Sequence, residues 1–211
     1  MLDLLPPPAE LSLFLSAAFI MGISPGPGMM YVMARALGQG RNAALISTLG
    51  LFLGSFLNCL AAALGLAALL AVSPNAFTAV RLLGAAYLLY LAFRVARQAM
   101  NVTDIAEVTN DPPWTIFRQA VTTNILNPKA GMFYLAVVPP FTDPERGSVF
   151  LQFMLLGLVF NIFGNAMNLS ISLFFGTMGD WIASHPNFFR LQRVFTATVM
   201  TGLALHLAIG I

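Results

Sequence analysis

The chain reads Ser24-Pro25-Gly26-Pro27-Gly28-Met29-Met30-Tyr31 at one point, and after a shift of 103 positions it reads Asn127-Pro128-Lys129-Ala130-Gly131-Met132-Phe133-Tyr134. Four of the eight aligned positions are identical, and both stretches lie inside long apolar segments. Proline lacks the N–H that a helix interior needs, and glycine weakens helical order, so each stretch predicts a break in a helix. The matching breaks predict a fold built from two related halves.

The breaks belong to a sequence that is too apolar for a water-soluble domain. Of its 211 residues, 58% are hydrophobic and 9% are charged, and the mean hydropathy is +0.82. About 20 apolar residues in a helix cross roughly 30 Å of hydrocarbon. Six transmembrane helices are therefore predicted, at residues 10–36, 43–70, 77–95, 115–141, 149–175 and 188–211. The expected fold is an all-α polytopic membrane protein with one transmembrane domain over residues 1–211.

The two halves are predicted to be inverted repeats, over about residues 9–97 and 112–211. Each half holds three predicted spans, and an odd number of crossings inserts the second half upside down, with spans one and four broken. A slightly larger shift also matches Gly50 and Asn58 of the second span with Gly157 and Asn165 of the fifth. Broken helices at corresponding positions of inverted halves indicate a transport site near the middle of the membrane.

Basic residues lie mainly in alternate loops. Arginine side chains on one side are Arg35, Arg41, Arg94, Arg97, Arg118, Arg190 and Arg193, against Arg81 and Arg146 on the other. Cytoplasmic loops are enriched in Lys and Arg, so both termini are expected outside the cytoplasm, in a multi-pass protein of a bacterial inner membrane. Residues 1–10 contain no Lys or Arg, and the first span is therefore expected to be retained, unlike a signal peptide.

Each break has the form of an N-cap residue followed by proline at the first helical position. The helix starts predicted at Ser24-Pro25 and Asn127-Pro128 would offer backbone N–H groups without intrahelical partners, and a partial positive charge that suits a carboxylate. The predicted substrate-binding residues at the breaks are Ser24, Pro25, Gly26, Pro27, Gly28, Asn127, Pro128 and Lys129. A simpler interpretation, in which proline and glycine only kink the helices, remains open.

The polar side chains inside the spans suggest what the site would hold. Lys129 is the only formally charged residue deep in a predicted span, where a cation is costly. A substrate carboxylate, carbonyl groups of the broken turn, or a path for its long stem toward the membrane interface could each compensate this charge. The ammonium group of a substrate is expected to be held by the carbonyls that end at Ile23 and Leu126 and by Asn58 or Asn165. One polar face of the fifth span, which is expected either to line the pathway or to bond neighbouring helices, is formed by Asn161, Asn165, Asn168 and Ser172. No Asp or Glu falls in the middle of a span, which favours neutral amino acids over lysine or arginine as substrates. Lys129 and His206 are the candidates for proton coupling.

Other classes of function fit the sequence less well. Cys59 is the only cysteine, which excludes an internal disulfide and a thiolate metal cluster, and no metal or cofactor is expected. No paired acids or activated nucleophile indicate an enzyme. The basic residues are explained by topology and not by nucleic acid binding. The expected partners are the lipid bilayer and an amino-acid-like solute, and a homo-oligomer of the chain is a further option that the sequence leaves open.

Three stretches resemble the lysine-exporter and homoserine/threonine-exporter (LysE/RhtB) family. They are Ser24-Pro25-Gly26-Pro27 with Gly38 and Gly50 downstream, Gly84-Ala85-Ala86-Tyr87-Leu88-Leu89-Tyr90-Leu91, and Asn127-Pro128-Lys129-Ala130 leading to Pro139. The resemblance implies efflux of amino acids or related metabolites across an inner membrane by exchange with protons. The family pattern usually has Asn where this chain has Gly28. The sequence thus predicts a secondary exporter of small zwitterionic solutes working by alternating access, with a channel or passive facilitator as the alternative.

Overall fold

The regular elements are helical throughout the part of the chain that the structure describes. The structure is a computed structural model that describes residues 4–24, 26–72 and 110–184, together with single positions between 79 and 97 and between 194 and 205. Its helices are α1 (Pro8–Ile23), α2 (Pro27–Val72), α3 (Pro113–Ile125), α4 (Pro128–Met132) and α5 (Val149–Ser184). A π-helical segment (Phe133–Val137) and 3-10 turns (Pro139–Phe141 and Pro144–Arg146) connect α4 to α5.

The break predicted in span one lies between α1 and α2. Helix α1 ends at Ile23, and the N–H of Ser24 still donates to the carbonyl of Ile20, at 3.1 Å. Helix α2 begins at Pro27, and its first bond runs from the N–H of Met30 to the carbonyl of Gly26, at 3.0 Å. The prediction that Ser24 caps a new helix was therefore wrong by two residues. Ser24 closes α1 because its N–H remains in the hydrogen-bond ladder of that helix.

The break predicted in span four lies between α3 and α4. Helix α4 begins at Pro128, and the side chain of Asn127 accepts a hydrogen bond from the N–H of Lys129 at 3.0 Å. The predicted cap at Asn127, with proline in the first turn, is thus confirmed. Residues 113–125 and 128–141 together occupy the fourth predicted span, which is helical on both sides of its break.

Helix α2 contains a sharp kink at Gly40. The backbone of Gly40 has φ 79° and ψ −172°, a conformation that residues with a Cβ rarely adopt. It divides α2 into a segment at 27–39, which completes the first predicted span, and one at 41–72, which forms the second. Among the described residues, two helices are long and apolar enough to cross a membrane, Pro27–Leu69 and Val149–Phe174. Predicted spans three and six lie largely outside the described residues, so the six-span inverted arrangement stays a prediction.

Glycines on α2 allow α3 to pack closely against it. A Cβ atom placed on Gly50 would lie 2.6 Å from the carbonyl oxygen of Phe117, and one on Gly54 would lie 2.6 Å from that of Val121. Such distances are far shorter than a van der Waals contact, so only glycine fits at either position. This approach holds the end of α3, and with it the second break, against the middle of α2.

Arg35 lies inside α2, although the charge pattern assigned it to a loop. It is 5% exposed, and its guanidinium pairs with the carboxylate of Asp111 at 2.6 Å and donates to the hydroxyl of Tyr31 at 3.2 Å. Tyr31 in turn donates to the carbonyl of Ile116 on α3, at 3.1 Å. This cluster gives the buried cation a partner and joins the first segment of α2 to α3.

Candidate functional site

The two breaks meet at one cavity. Its volume is about 60 Å³, some four times the roughly 15 Å³ that a single water needs. The first break and the turns beside it contribute Met21, Gly22, Ser24, Gly26, Gly28 and Met29, and the second break contributes Asn124, Asn127, Lys129 and Ala130. The middle of α2 contributes Leu51 and Ser55, and α5 contributes Phe160, Asn161, Gly164, Asn165 and Asn168. Stretches separated by a hundred residues of sequence therefore face the same small space.

Lys129 joins the two breaks directly. Its ammonium group donates a hydrogen bond to the carbonyl oxygen of Ser24. Its stem lies over Gly26, because a Cβ atom placed on Gly26 would be 3.2 Å from Cδ and 3.5 Å from Nζ of Lys129. A residue larger than glycine at position 26 would push against the lysine side chain. Gly26 thus leaves room for the ammonium group at the start of α2.

The first break places helix ends of opposite polarity side by side. The carbonyl groups that end α1 carry a partial negative charge, and the ammonium group of Lys129 bonds to one of them, that of Ser24. The first turn of α2 carries a partial positive charge, and its N–H groups, including those of Gly28 and Met29, have no partner within the helix. A zwitterion has this same pairing of charges. The arrangement suits a solute with a carboxylate and an ammonium group close together.

Helix α5 contributes amides to the cavity. Asn161, Asn165 and Asn168 line it from one face of the helix, as their spacing predicts. The amide of Asn165 donates to the side-chain oxygen of Asn161 at 2.6 Å, and that of Asn161 donates to the carbonyl of Phe52 at 3.3 Å. The side-chain oxygen of Asn165 is buried and has no hydrogen-bond partner among the described residues. It is therefore an acceptor that a bound ammonium group would satisfy.

The polar face of α5 serves a second purpose one turn beyond the cavity. The hydroxyl of Ser172 bonds that of Thr48 on α2, at 3.0 Å, and both side chains are buried. At this point the face joins two helices. The polar face of α5 thus lines the cavity over one part of its length and bonds α2 over another.

Some predicted site residues lie apart from the cavity. Asn58 does not line it, since its amide donates to the carbonyl of Asn124 at 2.8 Å and supports the end of α3. Pro27 and Pro128 begin helices beside the cavity and are exposed themselves. Pro25 and His206 lie outside the described residues.

Leu51, Ser55 and Asn124 line the cavity although sequence reasoning did not select them. The amide of Asn124 donates to the carbonyl of Leu51, and the hydroxyl of Ser55 bonds that of Tyr134 at 2.7 Å. The spacing of Leu51 and Ser55, four residues apart, places them on one face of α2. Leu51 and Ser55 directly follow Gly50 and Gly54, so the helical repeat that puts the two glycines on one face of α2 could have identified these two residues as well.

The chain is similar in sequence to known membrane proteins over most of its length. The profile of the family described as LysE type translocator matches residues 19–210. An uncharacterized membrane protein of Pseudomonas aeruginosa is 30% identical over 194 residues, which cover 89% of this chain and 86% of that protein. A leucine efflux protein of Enterobacter sp. is 25% identical over 197 residues, covering 92% and 93%, and one of Salmonella typhimurium is 29% identical over 150 residues, covering 71% of each. No solved structure is a significant match.

Proposed function

Because the chain belongs to the LysE type translocator family, a family of membrane transporters, we propose that it exports neutral amino acids across a bacterial inner membrane in exchange for protons. The membrane location and the general activity, amino acid efflux, rest on the family and on relatives named leucine efflux proteins. The choice of neutral substrates rests on the cavity. Proton exchange rests on the resemblance to the exporter family, and the orientation of both termini outside the cytoplasm rests on the distribution of basic residues in the sequence.

A single observation carries the proposal, namely the contact between the two breaks through Lys129 and Ser24. In the bound state, the substrate carboxylate lies between the ammonium group of Lys129 and the first turn of α2. Gly26 and Gly28 let it approach the backbone there. The substrate ammonium group lies against the side-chain oxygen of Asn165 and the carbonyls that end α1. No side-chain carboxylate is among the described residues that line the cavity, so a second cationic group on the substrate would find no counter-charge there.

Transport by alternating access requires that the site open to one side of the membrane at a time. Residues that line the cavity belong to two separate hydrophobic clusters. One cluster includes Phe14, Phe133 and Phe160, and the other includes Met29 and Leu51. Rocking the half that contains Lys129 against the half that contains Ser24 would lengthen their contact and separate one cluster at a time. A bound carboxylate would replace the carbonyl of Ser24 as the partner of the ammonium group during this movement.

Counterflow in proteoliposomes tests the proposal. Purified protein is reconstituted in vesicles loaded with unlabelled leucine, and labelled leucine is supplied outside at a much lower concentration. An exchanger accumulates label above its external concentration, whereas a channel only dissipates the gradient. Vesicles loaded with lysine control for substrate class and should show little accumulation. Equilibration without accumulation would replace the exporter with a channel, and no uptake of any amino acid would remove the proposed function.

Proton exchange has its own readout in the same vesicles. A pH-sensitive dye trapped inside reports whether amino acid movement is accompanied by protons in the opposite direction. Leucine leaving the vesicles should acidify the interior, and a proton-conducting ionophore should abolish the signal. Leucine movement without a pH change would refute proton exchange and leave the site assignment intact.

A further inference from the structure

The cavity has an apolar wall as well as its polar one. Met21, Met29, Leu51 and Phe160 supply the wall, from three different helices. Methionine side chains are unbranched and flexible, so Met21 and Met29 adapt to the shape of a bound solute. The other two are held in place. The ring of Phe160 stacks on that of Phe133 with centroids 3.7 Å apart.

The side chain of Leu51 packs beside Gly28, which has no side chain of its own. This leucine side chain is fully buried, and a Cβ atom placed on Gly28 would lie 3.3 and 3.4 Å from its two methyl carbons. The methyl groups therefore lie beside the first turn of α2, and a Cβ atom at position 28 would push them toward the cavity. The backbone of Leu51 is fixed, because its carbonyl accepts a hydrogen bond from the side chain of Asn124. A solute that presses on Leu51 meets a wall that does not yield.

Space in the cavity is limited. The cavity measures about 60 Å³, less than half of the roughly 150 Å³ of an apolar protein cavity that takes up benzene, so the side chain of a bound solute meets the apolar wall. An aliphatic chain is accommodated by movement of the two methionines. A flat aromatic ring needs more width and meets Leu51 and Phe160, which lack that freedom.

We propose that Leu51, seated against Gly28, sets the upper size limit for the side chain of the exported amino acid, so that aliphatic chains up to leucine are accepted and aromatic ones are rejected. The inference rests on the proposed function, since it assigns a substrate class to the same cavity. The inference predicts the ratio of exchange rates between two substrates, and a general loss of transport activity leaves this ratio unchanged.

The test uses purified protein in proteoliposomes and initial exchange rates for labelled alanine, leucine and phenylalanine. Leu51→Ala should raise the ratio of phenylalanine to leucine by about 10-fold or more, the scale on which apolar pockets discriminate by size. Gly28→Ala should push Leu51 into the cavity and lower the ratio of leucine to alanine several-fold. The matched controls are Leu49→Ala, whose side chain is 64% exposed on the same helix, and Gly65→Ala, where a Cβ meets no atom within 4 Å. Both controls should keep the wild-type ratios.

The outcomes separate this inference from the proposed function. Wild-type protein that exchanges none of the three amino acids would overturn the proposed function. Wild-type exchange together with an unchanged phenylalanine-to-leucine ratio in Leu51→Ala would overturn the inference alone. If Leu51→Ala does not accumulate in the membrane, Leu51→Val and Gly28→Ala decide the matter. Wild-type ratios in both of those variants would equally overturn it.

Discussion

Replacing Lys129 with methionine tests the site at its centre. Methionine keeps the length and flexibility of the stem and removes the ammonium group. Two interactions are lost together, the hydrogen bond to the carbonyl of Ser24 and the proposed bond to the substrate carboxylate. The stem can still lie over Gly26, since the contact there involves the aliphatic carbons of Lys129 as well as Nζ. Helix insertion should therefore persist in the variant.

The size of the effect follows from the charge on the ammonium group. A hydrogen bond to a charged group contributes about 1.5–3 kcal/mol, and each 1.36 kcal/mol corresponds to a tenfold change in an equilibrium constant. Lys129→Met should thus lower leucine exchange at low substrate concentration by about 10- to 150-fold. Lys129→Arg keeps the charge but brings a larger head group toward Gly26, so it should restore activity only in part.

Leucine counterflow in proteoliposomes measures this effect, with the amount of protein in each preparation determined by quantitative blotting. Arg41→Met is the matched control, because Arg41 is an exposed cation beside the kink at Gly40 and its loss changes the net charge equally. The control should exchange leucine at the wild-type rate. A Lys129→Met protein that is inserted, monodisperse and within about threefold of the wild-type rate would refute the role of Lys129 in binding the carboxylate.

The remaining predictions concern the ammonium subsite and the packing that supports the site. Asn165→Leu removes the unsatisfied acceptor and should raise the leucine concentration for half-maximal exchange about 10-fold. An unchanged concentration would contradict the assignment of Asn165 to the ammonium group of the substrate. Gly50→Leu inserts a side chain where the carbonyl of Phe117 lies 2.6 Å from the Cβ position. We expect this variant to lose about 1–3 kcal/mol or more of folding stability and to melt at a lower temperature in detergent. A wild-type melting temperature would argue against the close packing of α2 and α3. Asp111→Leu removes a carboxylate that pairs with buried Arg35, so the melting temperature in detergent should fall. Adding Arg35→Leu should restore much of the loss, and equal melting temperatures for the single and double variants would contradict this account.

Local chemistry made several features predictable from the sequence. Proline in the interior of an apolar segment removes a helical hydrogen bond, and neighbouring glycines weaken the helix further, so both breaks were found in the correct spans. The cap at Asn127 follows from residue type and position, and the amides of Asn161, Asn165 and Asn168 share a face because a helix repeats every 3.6 residues. Each of these properties is decided within a few residues of the chain. The family assignment, confirmed by the match over residues 19–210, drew on the same short motifs.

Tertiary structure decided which of these features come together. The sequence did not reveal that α2 starts at Pro27. Nor did it reveal that Lys129 bonds Ser24 or that Leu51 packs beside Gly28, because these residues are far apart along the chain. Both contacts depend on how closely the helices approach and on their rotation about their own axes. Asn58 illustrates the point, since its residue type and span suggested the cavity but the rotation of α2 turns its amide to the end of α3. Helical periodicity establishes which side chains share a face, and only packing determines what that face meets.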